Sequence, residues 1–183
     1  MSVLPVDPVA FRTAVGRFAT GVTVVTTVVD GVAHGMTANA FASVSLDPLL
    51  ILVCVDRATR LHDLLPQAGS FAVTVLADAQ EPVSRWFASA SRLPGDDQFA
   101  GIPWHPAPGS GAPILDEGLA WLDCRLHAVH DGGDHVIFVG EVTGLGLLTD
   151  DPPLLWFSGR YRHIPVQPVP NNLSPKSPSP GTM

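Results

Sequence analysis

The chain has 183 residues, a net charge of −7 at pH 7, and 15% charged against 46% hydrophobic residues. With a mean hydropathy of +0.27 and a pI near 5.3, it is too apolar for a disordered chain and too acidic for a nucleic-acid or anionic-membrane partner. Cys54 and Cys124 are the only cysteines, which excludes a disulfide framework or a four-thiolate zinc site.

No apolar run approaches the roughly 20 residues that span a bilayer. Met1 to Arg17 lacks a basic segment followed by an apolar core, so no signal peptide and a reducing, cytoplasmic setting are expected. Asp7-Pro8 reads as a helix start, with Phe11, Val15 and Phe18 on one apolar face. Thr20 to Val29 is dense in β-branched residues and predicts a strand. Asp30-Gly31 is a hairpin turn signal, and Val32 to Ala38 returns. Leu49 to Val55 is an unbroken apolar run suited to a buried strand.

Thr59 is placed to cap a short helix through Leu65, ended by Pro66 and Gly69. Phe71 to Leu76 is a further strand, and Asp78 to Glu81 is a capping-box pattern opening a helix to about Ala88. Ser91 to Gly118 is rich in Gly and Pro and reads as a long ordered loop or lid. Trp121 to Val129 alternates, Asp131 to Asp134 turns, and His135 to Leu148 runs back. A last strand covers Leu154 to Phe157 and extends toward Tyr161. Six or seven strands with short helices predict a mainly β, antiparallel, closed or nearly closed barrel. The folded domain is expected over 7–164. Six of the 18 prolines and three serines fall in Pro165 to Met183, which predicts a disordered, polyproline-like tail.

Several motifs are absent or incomplete. Gly144-Leu145-Gly146 begins a dinucleotide fingerprint, but Thr149 replaces the third glycine and no helix follows. There is no Walker lysine loop and no Gly-x-Ser-x-Gly elbow. His127 and His130 are three apart on a predicted strand, hence on opposite faces, one exposed and one at the core rim. They make a poor metal pair, and no metal site is expected. Cys54 on its own reads as a small core filler. Gly35 to Pro48, GMTANAFASVSLDP, gathers small and hydroxyl residues after a strand. That composition lets backbone amides approach a planar polar ligand, although taken alone it is equally a polar turn.

The chain as a whole resembles the flavin reductase-like family with the FMN-binding split-barrel fold. The resemblance covers Phe11 to Ile164. It rests on FATGVTVVTT (Phe18 to Thr27), HGMTANAFASVSLDPLL (His34 to Leu50), VCVDRATRLHDLL (Val53 to Leu65) and FAVTVLADAQ (Phe71 to Gln80). RWFAS (Arg85 to Ser89), GDHVIFVGEV (Gly133 to Val142) and PLLWFSGRYRHI (Pro153 to Ile164) complete it. It implies an antiparallel split barrel, a homodimer with flavin near the subunit interface, oxidation of NADH or NADPH, and reduction of FMN or FAD. Reduced flavin would diffuse to a separate monooxygenase component.

By the same resemblance, Thr37, Ala38 and Asn39 would line the flavin ring, and Ser43, Val44 and Ser45 would hold the ribityl chain or its phosphate. Cys54 and Val55 would flank a ring edge, and Arg57 and Thr59 would help bind phosphate. Phe87, Ala88 and Arg92 would close the site from the lid side. His135, Tyr161 and Arg162 would border the nicotinamide, His135 being the catalytic candidate. The run Arg57-Ala58-Thr59 has fewer hydroxyls than the family pattern, which leaves FMN and FAD both open. Two rival readings share these motifs. One is a flavoprotein with a fixed flavin serving another acceptor, the other a non-enzymatic flavin- or haem-binding barrel.

Overall fold

The structure, a computed structural model, describes residues 6–164. The tail over 165–183 lies outside the described residues. Helix α1 (Pro8–Val15) opens as the sequence predicts, with the Asp7 carboxylate accepting from the Val9 and Ala10 amides at 2.9 Å. Its apolar face is not buried within the chain, since Phe11, Val15 and Phe18 are all exposed.

The predicted strand over Thr20 to Val29 is interrupted at Val22, giving β1 (Thr20–Gly21) and β2 (Thr23–Val29). Next come β3 (Val32–Ala38), β4 (Phe41–Leu46), β5 (Leu49–Asp56), helix α2 (Arg60–Ala68) and β6 (Ser70–Val75). Pro66 does not end α2 but lies inside it; Gly69, in the left-handed region at φ 65°, ends it, its amide donating to Leu65 O. The capping pattern resolves into a 3-10 turn over Asp78–Gln80 followed by α3 (Glu81–Ala88). Gln80 Oε1, rather than Asp78, accepts from the buried amide of Ala77 at 3.0 Å. The expected lid holds a 3-10 turn (Gly95–Phe99) and a small hairpin of β7 (Trp104–Pro106) and β8 (Pro113–Leu115). Long strands β9 (Ala120–Gly132) and β10 (His135–Leu147), then short β11 (Leu155–Phe157) and β12 (Arg160–Arg162), complete the chain. On β9 both His127 and His130 are exposed, rather than one of them at the core rim, because burial on this strand is confined to Asp123 and Cys124 and does not reach its second half.

The fold is mainly β and antiparallel, with few helices. Seven strands form one sheet in the order β3-β2-β6-β9-β10-β5-β4. Its two edge strands, β3 and β4, are consecutive in the chain, and Cys54 N on β5 donates to Ala40 O between them at 3.0 Å. A sheet whose first and last strands are two residues apart must curl on itself. The curl encloses Val25, Met36, Val53, Phe71, Phe138 and their neighbours, plugged by Leu61 and Leu65 of α2. The outer face of β2 and β3 is covered as well, by Phe87 of α3, Phe99 and Leu115. Burial on both faces explains the unbroken run of Val and Thr in β2. Its threonines are buried with their hydroxyls spent: Thr23, Thr26 and Thr27 donate to Ala38 O, Pro113 O and Ser70 O at 2.7 to 2.8 Å.

Candidate active site

Strand β3 and the N-terminus of α2 form the walls of a cavity of about 500 Å³, with the segment after α3 across from them. Thr37, Thr59, Ala88 and Arg92, all singled out in the sequence, line it. So do His34 and Arg60, which were not. Thr59 stands at the N-cap of α2, but its hydroxyl donates to Asp56 O at 2.7 Å and leaves the helix amides uncapped. Thr37 Oγ1 is tied to Ser84 O at 2.7 Å. No carboxylate lines this cavity, in a chain whose acidic residues outnumber its basic ones 17 to 10.

A groove of about 570 Å³ lies beyond the end of β3. It is lined by Asn39, Phe41, Cys54, Phe18 and Trp156, among others. Asn39 Nδ2 donates to Thr20 Oγ1 at 3.3 Å. Cys54 is half-buried, and burial raises its thiol pKa, so it is a neutral wall rather than a thiolate. The two spaces are bridged through side chains. Ser84 Oγ meets Tyr161 Oη at 2.8 Å, and Tyr161 stacks edge-on against Trp156 at 4.8 Å. The Arg85 guanidinium covers the Tyr161 ring at 4.7 Å.

The remaining predicted residues lie outside these two spaces. Ser43 and Val44 are exposed on edge strand β4, and Ser45 is bonded within its own turn to Asp47. Ala38, Val55 and Phe87 have buried side chains packed in the core, so only main-chain atoms of these residues are free to meet a ligand. Arg57 donates to Gly133 O at 2.8 Å and pairs with Asp131, which commits it to the β9–β10 turn. His135 is at the same turn, opposite Asp56, with Nδ1 2.7 Å from Asp134 Oδ1. Arg162 is exposed.

His34 is the residue that sequence reading passed over. It is only 5% exposed, and burial, then Arg92 and Arg60, lowers its pKa from 6.5 to about 4. Its Nε2 and the Nε of Arg92 are buried with no hydrogen-bond partner. Stranded donors of this kind are costly unless an acceptor arrives. A ligand with an anionic oxygen tail, as a flavin phosphate is, fits this donor set, while Ala58, Ala88 and Ala90 leave room beside it. Among the described residues no group of His, Cys, Asp and Glu is arranged to hold a metal, and no helix is long and apolar enough to cross a membrane.

The curled antiparallel sheet thus carries, at the N-terminus of α2, a cationic cavity with no carboxylate in its lining. The family model "Flavin reductase like domain" matches residues 15–165, and the chain belongs to that family. The flavin-dependent monooxygenase reductase subunit HsaB of Rhodococcus jostii is 42% identical over 166 residues, 90% of this chain and 83% of the relative. The NADH-dependent FAD reductase of Streptomyces globisporus is 44% identical over 160 residues, 87% of either chain. Among solved structures, the Streptomyces globisporus NADH:FAD oxidoreductase SgcE6, in complex with NAD and FAD fragments, superposes with a TM-score of 0.82. It is 41% identical, with 90% of this chain and 96% of that one covered.

Proposed function

We infer that the protein is an NADH- or NADPH-dependent flavin reductase that reduces FMN or FAD and releases the product to a separate monooxygenase. The observation that carries this is the cavity at the start of α2, lined by His34, Arg60 and Arg92 and by no acid, in a member of the flavin reductase family. The names of its relatives, NADH-dependent reductases and monooxygenase reductase subunits, support the choice of partners.

Hydride passage from a dihydronicotinamide to the flavin ring is chemistry that the two ligands bring with them. The chain binds and orients. In this reading the main chain of Thr37, Ala38 and Asn39 runs along the flavin ring, with Cys54 and Val55 at its edge. Ser43 to Ser45 offer hydroxyls and amides to the ribityl chain, and Thr59, Arg60 and Arg92 meet the phosphate. Arg57 acts indirectly, by holding the turn that carries His135. His135, Tyr161 and Arg162 border the nicotinamide, and Ala88 and Phe87 back the site.

The curled sheet is read as a split barrel, and the domain as 7–164. A homodimer is supported by large apolar side chains left in solvent: Phe11 at 64%, Phe18 at 78%, Leu46 at 87% and Leu147 at 74% exposed. A cytoplasmic setting accords with two unpaired cysteines. Gel filtration of flavin-loaded protein tests the release step. Loss of yellow colour with saturable turnover on added flavin is expected; retained colour and turnover independent of added flavin would favour a fixed prosthetic group.

A further inference from the structure

Ser84 is fully buried in α3 and lines neither the cavity nor the groove, yet it touches a wall of each. A buried hydroxyl is costly unless it is paired. A serine inside a helix commonly bonds back to the preceding turn. Ser84 Oγ instead meets Tyr161 Oη at 2.8 Å, 77 residues on. Its carbonyl accepts from Thr37 Oγ1 at 2.7 Å. One residue thus holds Thr37, on the cavity wall, by its main chain, and Tyr161, beside the groove, by its side chain.

Tyr161 depends on such ties. Its strand, β12, is three residues long and lies at the edge of the order β1-β11-β12, so it is paired on one side only. A strand this short does not fix a side chain by itself. Trp156, the cross-strand partner of Tyr161, packs edge-on against its ring at 4.8 Å, and the Arg85 guanidinium covers the ring at 4.7 Å. Arg85 is held in turn, its Nε donating to Glu81 Oε1 at 2.7 Å. Trp156 and Arg85 bear on the ring, and Ser84 bears on the hydroxyl.

We propose that Ser84 is a positioning residue for flavin reduction, which fixes the Tyr161 side chain against the nicotinamide in register with a flavin lying along Thr37. The proposal rests on the flavin-reductase reading. Transfer between two bound rings needs their reacting atoms roughly 3–3.5 Å apart and aligned, so small losses of register slow it steeply. Removing Ser84 Oγ leaves the carbonyl, and with it the tie to Thr37, in place. The two duties are therefore separable: loss of the hydroxyl disturbs the nicotinamide side and spares the flavin side.

Tyr161 is the single tyrosine of the chain, so protein carrying ¹³Cζ-labelled tyrosine gives one tyrosine resonance. In ligand-free protein, Ser84→Ala should move that resonance. In stopped flow the same variant should slow flavin reduction a few-fold to about tenfold, as for one lost hydrogen bond, with flavin affinity unchanged in equilibrium dialysis. Tyr161→Phe keeps the ring that Trp156 and Arg85 contact. It should slow the reaction at least as much, and the double variant should be no slower than Tyr161→Phe alone. Tyr161→Phe also keeps the test open if Ser84→Ala fails to fold. An unmoved resonance, a wild-type rate in either single variant, effects that multiply in the double variant, or flavin affinity lost in step with rate would each overturn the proposal. If wild type reduces flavin and Ser84→Ala matches it, only this inference falls. If wild type reduces none, the flavin-reductase reading falls and takes this inference with it.

Discussion

A Cβ added to Gly35 would lie 2.8 Å from Cε1 of Phe87 and 3.2 Å from Cζ of Phe99. The contact seats β3 directly on α3, which is how Thr37 reaches Ser84 O and His34 comes under Gln98. Phe87 is fully buried and cannot yield. Gly35→Ala should therefore cost about 1–3 kcal/mol, read as a fall of several degrees in Tm. An unchanged Tm would mean that α3 is free to shift.

His34 sets an acid limb of stability. Its folded pKa is about 4, against 6.5 for the free side chain, so the unfolded chain takes up the proton first as pH falls. Stability is complete above about 6.5 and is lost progressively toward 4. The shift corresponds to at most about 3 kcal/mol, less wherever water enters the cavity to screen the charge. Charged groups near it include Arg60, Arg92 and Asp30, and Asp96, which accepts from the adjacent Ala33 amide at 2.7 Å. Asp131, Asp134 and Glu141, held low chiefly by hydrogen bonds to Arg57, His135 and Arg125, lose their contribution at the lower, carboxylate end of the scale. Urea midpoints from pH 4 to 7 should rise steeply for wild type and be flatter for His34→Leu. Identical slopes would contradict this account.

Much of the fold is legible because its strands are written in unbroken β-branched and apolar runs, as in Thr23 to Val29 and Leu49 to Val55. Of the stretch GMTANAFASVSLDP, Met36 and Thr37 line the cavity and Asn39 to Ala42 the groove, while the remainder lines neither. Whether a side chain faces the core, a cavity or solvent depends on the curl of the sheet and on shifts of register such as that between Ser43 and Ser45. Sequence reading singles out Arg57; the structure pairs it with Asp131, 74 residues away, and brings Arg60, three residues on, into the cavity lining. His34 gains its meaning from Gln98, 64 residues on, and no local pattern signals that pairing. Pro66 lies in the last turn of α2, where its missing amide leaves only the His62 carbonyl without a helical donor.

Asn39 and Ser43 test the proposed course of the flavin ring and its chain. Alanine at either should raise the KM for flavin a few-fold to about tenfold, the worth of one hydrogen bond, with little change in the KM for nicotinamide. Asn39 has one weak internal bond to lose and Ser43 is exposed, so neither change threatens folding. Unaltered flavin KM in both variants would put the ring elsewhere.

His135 tests the orienting role of the β9–β10 turn. With Nδ1 engaged by Asp134, a neutral ring leaves Nε2 to accept from a carboxamide NH₂. His135→Ala should slow flavin reduction in stopped flow while sparing flavin affinity, and His135→Asn should recover part of the rate. Equal crippling of both variants would point to an obligatory proton role, and wild-type rates in both would remove His135 from the site.

The central claim is reached most directly by following oxidation of NADH and NADPH at 340 nm with purified protein alone, in the presence of FMN, FAD or riboflavin. The account predicts oxidation that depends on both protein and flavin and saturates in flavin. Oxidation at the protein-free rate with all three flavins and both nicotinamides would contradict it.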